Sequence, residues 1–419
     1  MSFRFLHAAD LHIDSPLRGL ARYEGAPVDA ARGATRSAFT NLVDTAIREE
    51  VDLVVLAGDL FDGDWQDYNT GLFFATGLGK LGESGIDVVV KRGNHDAASK
   101  VTRGLRLPSH VRILSEREPE TVPIERLGVM VHGQSFPNGA VTDDLAARYP
   151  APVPGAFNLG LLHTSLTGRE GHDPYAPTSF DVLRAKGYDY WALGHVHAAE
   201  EVSQSPWIVF PGNTQGRRIR ETGPKGCSLV TVQDGVVKPA FVPLDVLRWN
   251  RLALDITGLA DLDALLDLAS CQVREKLAAA DGRAVALRVD IVGRGVLYGR
   301  LLSRPEQAEA ELRNAALDAS GGLAWLEKIQ LRSGPAIDLD AIARQDDPLG
   351  ALVRETRQLA TSDDALRALA AEALGDLDAK LTGDLVDLRL SMQPGLLREL
   401  LCEIEGDLLE RLREPGDTA

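Results

Sequence analysis

The stretch YDYWALGHVHAAE, residues 188–200, places two histidines two residues apart directly after an apolar run. Trp191–Leu193 has the composition of a buried strand, and Gly194 ends it. His195 and His197 follow, so the pattern predicts a strand that delivers two imidazoles at its carboxyl end. A lone histidine beside a strand is usually packed or solvated. The role of this pair therefore depends on what the other strands deliver.

Length and composition are those of an ordinary folded protein with about two to four domains. The 419 residues are 44% hydrophobic and 25% charged. No apolar run approaches the ~20 residues that a membrane helix needs, and the first residues lack the features of a signal peptide. The three cysteines form no CxxC pair, which argues against a disulfide framework or a thiolate zinc site. We therefore expect a cytoplasmic protein with no membrane association.

The net charge of −16 at first argues against a nucleic-acid partner. Its distribution weakens that argument. Residues 338–419 contain 19 Asp or Glu and only 9 Lys or Arg, so most of the excess acid lies in the tail. The acidic balance therefore does not exclude a phosphodiester substrate.

Residues 1–245 alternate β-rich and helical segments, which predicts a layered α/β catalytic domain with its functional groups at the carboxyl ends of strands. Strand-like runs cover 3–10, 52–59, 86–94, 157–165, 189–197 and 207–214, and helical spacing covers 34–50 and 178–187. Residues 228–242 read as a hairpin that turns at Asp234 and Gly235.

Residues 246–335 predict a smaller α+β domain, and residues 336–419 a helical tail. The α+β segment alternates three strands with two helices, close in length to a split ferredoxin-like fold. The tail has predicted helix breaks at Pro348, Gly375, Gly383 and Pro394-Gly395. Its last helix carries an apolar stripe of Leu397, Leu400, Leu401, Ile404, Leu408 and Leu412.

The other predicted strands of the first domain also end in groups that can bind metal. In chain order they deliver Asp10 and His12, Asp59, Asn94 with His95, His163, and then His195 and His197. Asp, Asn and neutral His suit manganese, iron or zinc. Two such ions ~3.5–4 Å apart supply a hydroxide and clamp the phosphoryl oxygens in phosphodiester hydrolysis.

These motifs, Asp-x-His, Gly-Asp, Gly-Asn-His-Asp, a lone His and Gly-His-x-His, together resemble the calcineurin-like metallophosphoesterase superfamily. The resemblance implies a four-layer fold of two sheets flanked by helices. It implies that Asp59 bridges two metals, and that His95 stays unbound as a proton donor or phosphate contact. The remaining implied ligands are Asp10, His12 and His197 for one ion, and Asn94, His163 and His195 for the other.

Within the superfamily the chain resembles SbcD-type and YhaO-like DNA repair exonuclease subunits. The segments HAADLHIDSPLRGL, GDLFDGDWQDYNTGLFF, LTGREGHDPYAP and PGNTQGRRIRETGPKG carry this likeness. It implies exonuclease or endonuclease action on DNA, with Mn²⁺ as the expected metal and Mg²⁺, Fe²⁺ or Zn²⁺ as alternatives. It also implies an α+β capping domain, an SMC-like ATPase that docks on the C-terminal helices, and room for a homodimer. Asp62 departs from the pattern, since typical members have a histidine there.

Substrate contacts are less well specified by the sequence. Arg217, Arg218, Arg220 and His172 lie near the motifs and are candidates to hold phosphates. Two alternatives to a DNA nuclease stay open: a phosphoesterase that acts on nucleotides or other small phosphodiesters, and a catalytically idle scaffold for an ATPase partner. The phosphoprotein branch is disfavoured, because its Asp-Arg-Gly is replaced here by Asp62-Gly63-Asp64.

Overall fold

The computed structural model describes residues 2–15, 28–62, 68–98, 106–166, 175–336, 338–378 and 393–413. None of the helices in these ranges is both long enough and apolar enough to cross a membrane. His172 and Gly383 lie outside the described residues.

The first of two six-stranded sheets contains β1 (Ser2–Ala8), β2 (Leu53–Ala57), β3 (Asp87–Lys91), β4 (Val111–Ile113), β11 (Gly226–Gln233) and β12 (Val236–Pro243). Its strand order is β12–β11–β1–β2–β3–β4. Strands β1 to β4 run parallel, and β11 and β12 form an antiparallel hairpin beside β1. The turn falls at Asp234 and Gly235, both with positive φ, as the sequence predicts.

The second sheet contains β5 (Glu120–Ile124), β6 (Val129–Gly133), β7 (Phe157–His163), β8 (Tyr190–Gly194), β9 (Glu200–Gln204) and β10 (Trp207–Phe210). Its strand order is β5–β6–β7–β8–β10–β9. Strands β6, β7, β8 and β10 are parallel, and the edge strands β5 and β9 are antiparallel to their neighbours.

The two sheets pack face to face over a shared apolar core and are covered by helices outside. Phe5 and Val55 of the first sheet belong to the same buried cluster as Leu159 and Tyr190 of the second. The outer layers include α1 (Val28–Arg48), α2 (Tyr68–Glu83), α3 (Asn94–Ala98) and α4 (Phe180–Ala185). Because the central strands are buried on both faces, they read as continuous apolar runs, which is why the sequence identifies them. The expected four-layer fold is confirmed.

The rest of the chain forms a three-stranded sheet and a series of helices. The sheet order is β13 (Leu247–Asp255), β14 (Ala284–Val292), β16 (Ala324–Leu331), and β15 (Arg294–Gly295) pairs with β17 (Gly334–Pro335). The helices are α5 (Leu262–Ala278), α6 (Tyr298–Ser303), α7 (Pro305–Ser320), α8 (Leu339–Ala343), α9 (Pro348–Ala360), α10 (Asp363–Asp378) and α11 (Pro394–Arg413).

The chain divides into two compact units. One comprises Met1–Arg251, Lys276–Leu287 and Leu323–Glu327, and the other comprises Leu252–Glu275, Arg288–Gly322 and Lys328–Ala419. The sequence boundaries near 245 and 335 stay predictions.

The predicted tail is helical, but one predicted break is wrong. Gly375 lies inside α10, at a position where an added Cβ would meet no atom within 4 Å. A single interior glycine costs a helix only ~1 kcal/mol, so it need not end one. The sequence analysis also did not identify β4, β5, β6 and β9. β4 has only three residues, and β5 and β9 lie at sheet edges with little burial.

The apolar stripe of α11 is packed in its first part and exposed further along the helix. Leu397 and Leu401 pack with Leu366 of α10, in a small cluster inside the tail. Ile404 and Leu408 have 58% and 39% of their surface exposed. Leu397 and Ile404 are seven positions apart, as are Leu401 and Leu408, so the packed and the exposed residues lie on the same face of the helix.

We expect Gly160→Ala to destabilise the catalytic fold by about 1–3 kcal/mol, because overpacking a dense core forces its neighbours to shift. Gly160 lies in β7, and an added Cβ would come within 2.4 Å of the buried Trp191 ring. Urea unfolding measures the change. Gly79→Ala is the matched control, since its Cβ would meet nothing within 4 Å and alanine favours the helix. Equal stability of the two variants would contradict the close packing.

Candidate metal centre

Tight backbone turns place the candidate ligands at the carboxyl ends of the strands. Asp10, His12, Asp59 and His195 have positive φ values of 52°, 42°, 52° and 97°. Such conformations cost energy in non-glycine residues and persist where surrounding structure enforces them. Here the amides of Asp10 and His12 donate to the carbonyl oxygens of Gly58 and Asp59, each at 3.0 Å. These bonds tie the first two strand ends together.

One ligand group consists of Asp10, His12 and His197. The Nε2 atoms of His12 and His197 are 3.4 Å apart. Asp10 Oδ1 lies 4.0 Å from His12 Nε2 and 3.7 Å from His197 Nε2. The backbone amide of His195 donates to the other Asp10 oxygen at 2.9 Å, which fixes the carboxylate plane.

The second group consists of Asp59, His163 and His195, with Asn94 beside it. His163 Nε2 is 3.4 Å from Asp59 Oδ2 and 3.0 Å from Asn94 Oδ1. The same Asp59 oxygen is 4.0 Å from His12 Nε2 in the first group. The carboxylate of Asp59, which the family resemblance implies as the bridging ligand, therefore lies between both groups.

The protonation pattern of these groups fits bound cations. His163 Nδ1 is 2.8 Å from the Ala57 carbonyl oxygen, which can only accept, so Nδ1 carries the proton and Nε2 presents a lone pair. That lone pair faces the Asn94 and Asp59 oxygens, which are also acceptors. Asp10 Oδ1 is buried and, among the described residues, accepts no hydrogen bond. Converging acceptors of this kind are stabilised by a shared cation, and N and O donors without thiolate suit Mn²⁺, Fe²⁺ or Zn²⁺.

Burial and neighbouring charge set the ionisation of two of these ligands. Burial, reinforced by the Arg217 guanidinium, holds the pKa of His12 well below its usual range, so the imidazole is neutral as metal binding requires. Burial raises the pKa of Asp59, but positive charge on the neighbouring imidazoles, on His163 above all, outweighs burial and holds that pKa well below its usual range. Metal ions bound at these imidazoles would supply the positive charge in place of protons, so Asp59 is ionised in either case.

His95 occupies the open side of this centre. Its side chain is 38% exposed, whereas that of His163 is fully buried. Its backbone amide donates to Asp59 Oδ1 at 3.1 Å, and its Nδ1 lies 3.3 Å from Asp62 Oδ1. A carboxylate at Nδ1 orients the ring and leaves Nε2 available to a substrate. Asp62 thus contacts the histidine that we expect to be free of metal.

Three supporting groups were not singled out from the sequence. Glu221 Oε1 lies 3.1 Å from His197 Nδ1, and Lys225 Nζ donates to the His197 carbonyl oxygen at 2.8 Å. The buried Asp96 accepts from the amides of Leu60 and Gly93, each at 3.0 Å, and so joins two ligand loops. The segment PGNTQGRRIRETGPKG contains Glu221 and Lys225, but nothing local marks them as partners of a histidine more than twenty residues earlier.

The three candidate substrate arginines differ in their surroundings. Arg217 lies against the centre, with guanidinium nitrogens 3.6 Å from Asp62 and 3.7 Å from Glu221. Its NH1 also donates to Ser15 Oγ at 3.1 Å. Arg218 is 3.3 Å from Glu221 but half exposed, and Arg220 is exposed. Arg217 is therefore held by carboxylates of the site itself, Arg218 contacts one of them from the surface, and Arg220 is exposed.

This centre and its two-sheet frame agree with the family comparison. Residues 3–199 match the family model of calcineurin-like phosphoesterases, and residues 249–334 match the middle domain of the metallophosphoesterase YhaO. Residues 3–199, just under half of the chain, are therefore similar to the calcineurin-like phosphoesterases.

The chain is similar to the uncharacterised metallophosphoesterase YhaO of Bacillus subtilis (strain 168). The two are 37% identical over 268 residues, which are 63% of this chain and 66% of that protein. The match thus spans just under two thirds of the relative. Among solved structures, TT1561 of Thermus thermophilus covers 57% of this chain and 99% of its own, with 13% identity and a TM-score of 0.34. A dimetal phosphatase from Danio rerio covers 55% and 93%, with 14% identity and a TM-score of 0.36. Neither score is high enough to support an argument.

We expect Glu221→Gln to weaken metal binding by about 10–100-fold, because the carboxylate that orients a ligating histidine also raises its basicity. Burial alone would raise the pKa of Glu221, but the His197 hydrogen bond and the Arg217 guanidinium outweigh it and hold that pKa at about 2, so the group is ionised at neutral pH. Competitive Mn²⁺ titration measures the change. Glu118→Gln, at an exposed position, is the control. Unchanged affinity in the Glu221 variant would show that His197 does not depend on this partner.

Proposed function

We propose that the protein is a two-metal phosphodiesterase that hydrolyses DNA phosphodiester bonds. The observation that carries this proposal is the placement of Asp59 between two groups of buried imidazoles and oxygens. A phosphodiester carries a single negative charge and is hard to hydrolyse without help. A centre with one shared carboxylate and further ligands on each side suits that reaction.

The residues of the chain have distinct roles in this proposal. Asp10, His12 and His197 hold one ion, Asn94, His163 and His195 hold the other, and Asp59 is shared. The bound ions would activate water and neutralise charge on the phosphoryl oxygens. His95 donates a proton to the leaving oxygen or steadies the phosphate, with Asp62 fixing the orientation of its ring. Glu221 and Asp96 hold the ligand loops in place.

The choice of DNA rests on the resemblance to DNA repair nuclease subunits and on the basic residues at the rim. We propose that Arg218 and Arg220 contact the phosphates of the strand, while Arg217 organises Asp62 and Glu221. The alternative is a phosphoesterase for nucleotides or other small phosphodiesters. It is favoured by the ion pairs of Arg217 with Asp62 and Glu221, because these carboxylates neutralise charge that a DNA strand would otherwise contact. The deciding assay compares nucleotide release from single- and double-stranded DNA with hydrolysis of small phosphodiesters, in Mn²⁺ or Mg²⁺.

We expect His95→Ala to retain both metals and to lose about 10²–10⁴-fold in turnover, the usual contribution of a positioned acid or base. Asp59→Asn, by contrast, should lose activity and weaken both metal sites, because one carboxylate serves the two groups. Elemental analysis and hydrolysis of bis(p-nitrophenyl) phosphate separate the two effects. Loss of a metal from the His95 variant would show that its role is misassigned. Near-normal turnover of Asp59→Asn with both ions bound would remove the basis of the whole proposal.

We propose that the tail docks on an SMC-like ATPase, as the family resemblance implies. The second half of α11 supports this, because its apolar stripe exposes Ile404, Leu408 and Leu412 there. Amphipathic helices bind apolar grooves and coiled coils through such a stripe.

We expect Ile404→Ser combined with Leu408→Ser to abolish co-purification with the ATPase and to leave phosphodiesterase activity intact, since both side chains lie largely outward. Pull-down of the co-expressed ATPase gives the readout. Glu399→Ser, exposed on the same helix, is the matched control. Full capture by the double variant would move the docking site away from this side of α11.

A further inference from the structure

A histidine outside the ligand set connects the two sheets close to the metal centre. His7 is a fully buried residue of β1. Its Nε2 lies 3.0 Å from the Leu193 carbonyl oxygen, and its Nδ1 lies 3.1 Å from the Tyr190 hydroxyl. Both partners belong to β8, in the other sheet. Since β8 leads directly to His195 and His197, His7 contacts this strand just before its two candidate ligands.

The hydrogen bonds of His7 determine its tautomer and occupy both of its nitrogens. A carbonyl oxygen can only accept, so Nε2 carries the proton and donates to Leu193. Nδ1 then accepts from the Tyr190 hydroxyl. Burial outweighs the effect of the Leu193 bond and lowers the pKa of His7 to about 3, so the ring is neutral at neutral pH. The function of His7 therefore lies in the groups that it holds.

The bond from His7 is the counterpart of the bond from His163. His163 of the second sheet donates to the Ala57 carbonyl oxygen of the first at 2.8 Å. His7 of the first sheet donates to the Leu193 carbonyl oxygen of the second at 3.0 Å. In each case the accepting residue is followed by a motif glycine and then by a candidate metal ligand. Two buried imidazoles thus each hold a strand end of the opposite sheet, two residues before a ligand.

The segment that contains His7 holds the end of β8 at a second point. The backbone amide of His195 donates to Asp10 Oδ2 at 2.9 Å. His195 has a φ of 97°, a costly conformation that persists where the surrounding structure enforces it. His7 and Asp10 therefore fix the chain on either side of Gly194, where it turns toward the ligands. Without the His7 bond, one of these two supports is lost.

We propose that His7 is a positioning residue of the metal centre, which places His195 and His197 for their two ions through its hydrogen bond to the Leu193 carbonyl oxygen. The proposal rests on the ligand assignment of the proposed function and does not depend on whether the substrate is DNA. A histidine that only filled the core would stabilise the fold with no separate effect on metal binding, and the test distinguishes these two roles.

The test compares three variants of the full chain. His7→Leu removes the donor and keeps an apolar side chain in the core. His7→Gln keeps an N–H donor near the position of Nε2 and should restore the bond. Tyr190→Phe is the matched control, because it removes the other partner of the ring and leaves the Leu193 bond in place. Thermal unfolding in EDTA measures the stability of each variant.

The readouts are Mn²⁺ affinity by competitive titration and the visible absorption bands of the Co²⁺-loaded protein. We expect His7→Leu to bind Mn²⁺ about tenfold or more weakly and to shift the Co²⁺ bands, because groups that orient metal ligands typically contribute about 10–100-fold to affinity. His7→Gln should recover most of the lost affinity. Tyr190→Phe should be less stable than the wild type but should keep its affinity and its bands.

Wild-type affinity and bands in His7→Leu would overturn the proposal. An equal loss of affinity in Tyr190→Phe would also overturn it, since metal binding would then follow stability, and so would the absence of recovery in His7→Gln. If His7→Leu does not fold, His7→Asn takes its place, because the shorter amide reaches the position of Nδ1 but not that of Nε2. Wild-type protein that binds neither ion would refute the ligand assignment and this proposal together. Wild-type protein that binds both ions and hydrolyses no phosphodiester would refute the proposed function alone.

Discussion

The hydrogen bond between His163 Nδ1 and the Ala57 carbonyl oxygen joins the two sheets where their strand ends meet. Ala57 is the last residue of β2 in one sheet, and His163 is the last residue of β7 in the other. The bond fixes the tautomer of the imidazole, so its second nitrogen is directed at Asp59 and Asn94. The metal-binding geometry of the second ligand group therefore depends on the face-to-face packing of the two sheets.

The two sheets pack so closely that glycine is required where their strand ends meet. A Cβ at Gly58 would lie 2.6 Å from His163 Nδ1, and one at Gly194 would lie 2.1 Å from the Ala57 carbonyl oxygen. The motif glycines thus have a steric role beside the chemical role of the residues that follow them. They allow two strand ends from different sheets to approach until their side chains share one small volume. The positive φ at Asp10, Asp59 and His195 belongs to the same arrangement, because the chain must turn sharply to direct each side chain inward.

Beyond the ligands, the charges around the centre form one connected set. Ser15 Oγ donates to Asp62, Asp62 faces His95, and Arg217 lies between Asp62 and Glu221. Glu221 in turn orients His197. Arg217 thereby links Asp62, on the open side of the site, to the metal ligand His197 through Glu221. The sequence suggests Arg217 as a substrate contact, and in the structure this residue also holds Asp62 and Glu221 in place. Asp62 is part of the same set.

The sequence by itself determined a layered α/β domain and the order of the metal-binding motifs, and the family resemblance implied the two sheets. Central strands buried on both faces must be apolar throughout, and polar residues at their ends are conspicuous against that background. It could not identify β5 and β9, since edge strands have mixed burial and weak periodicity, nor could it show that Gly375 continues a helix. It also could not pair Glu221 with His197 or Asp96 with the amides of Leu60 and Gly93. Glu221 and His197 come from segments that have no regular spacing along the chain, and Leu60 comes close to Asp96 because β2 and β3 are neighbours in one sheet, so the fold brings these groups within hydrogen-bond distance. The division of the α11 stripe into a packed first part and an exposed second part was decided in the same way, because the neighbouring helices determine how much of one apolar face is covered.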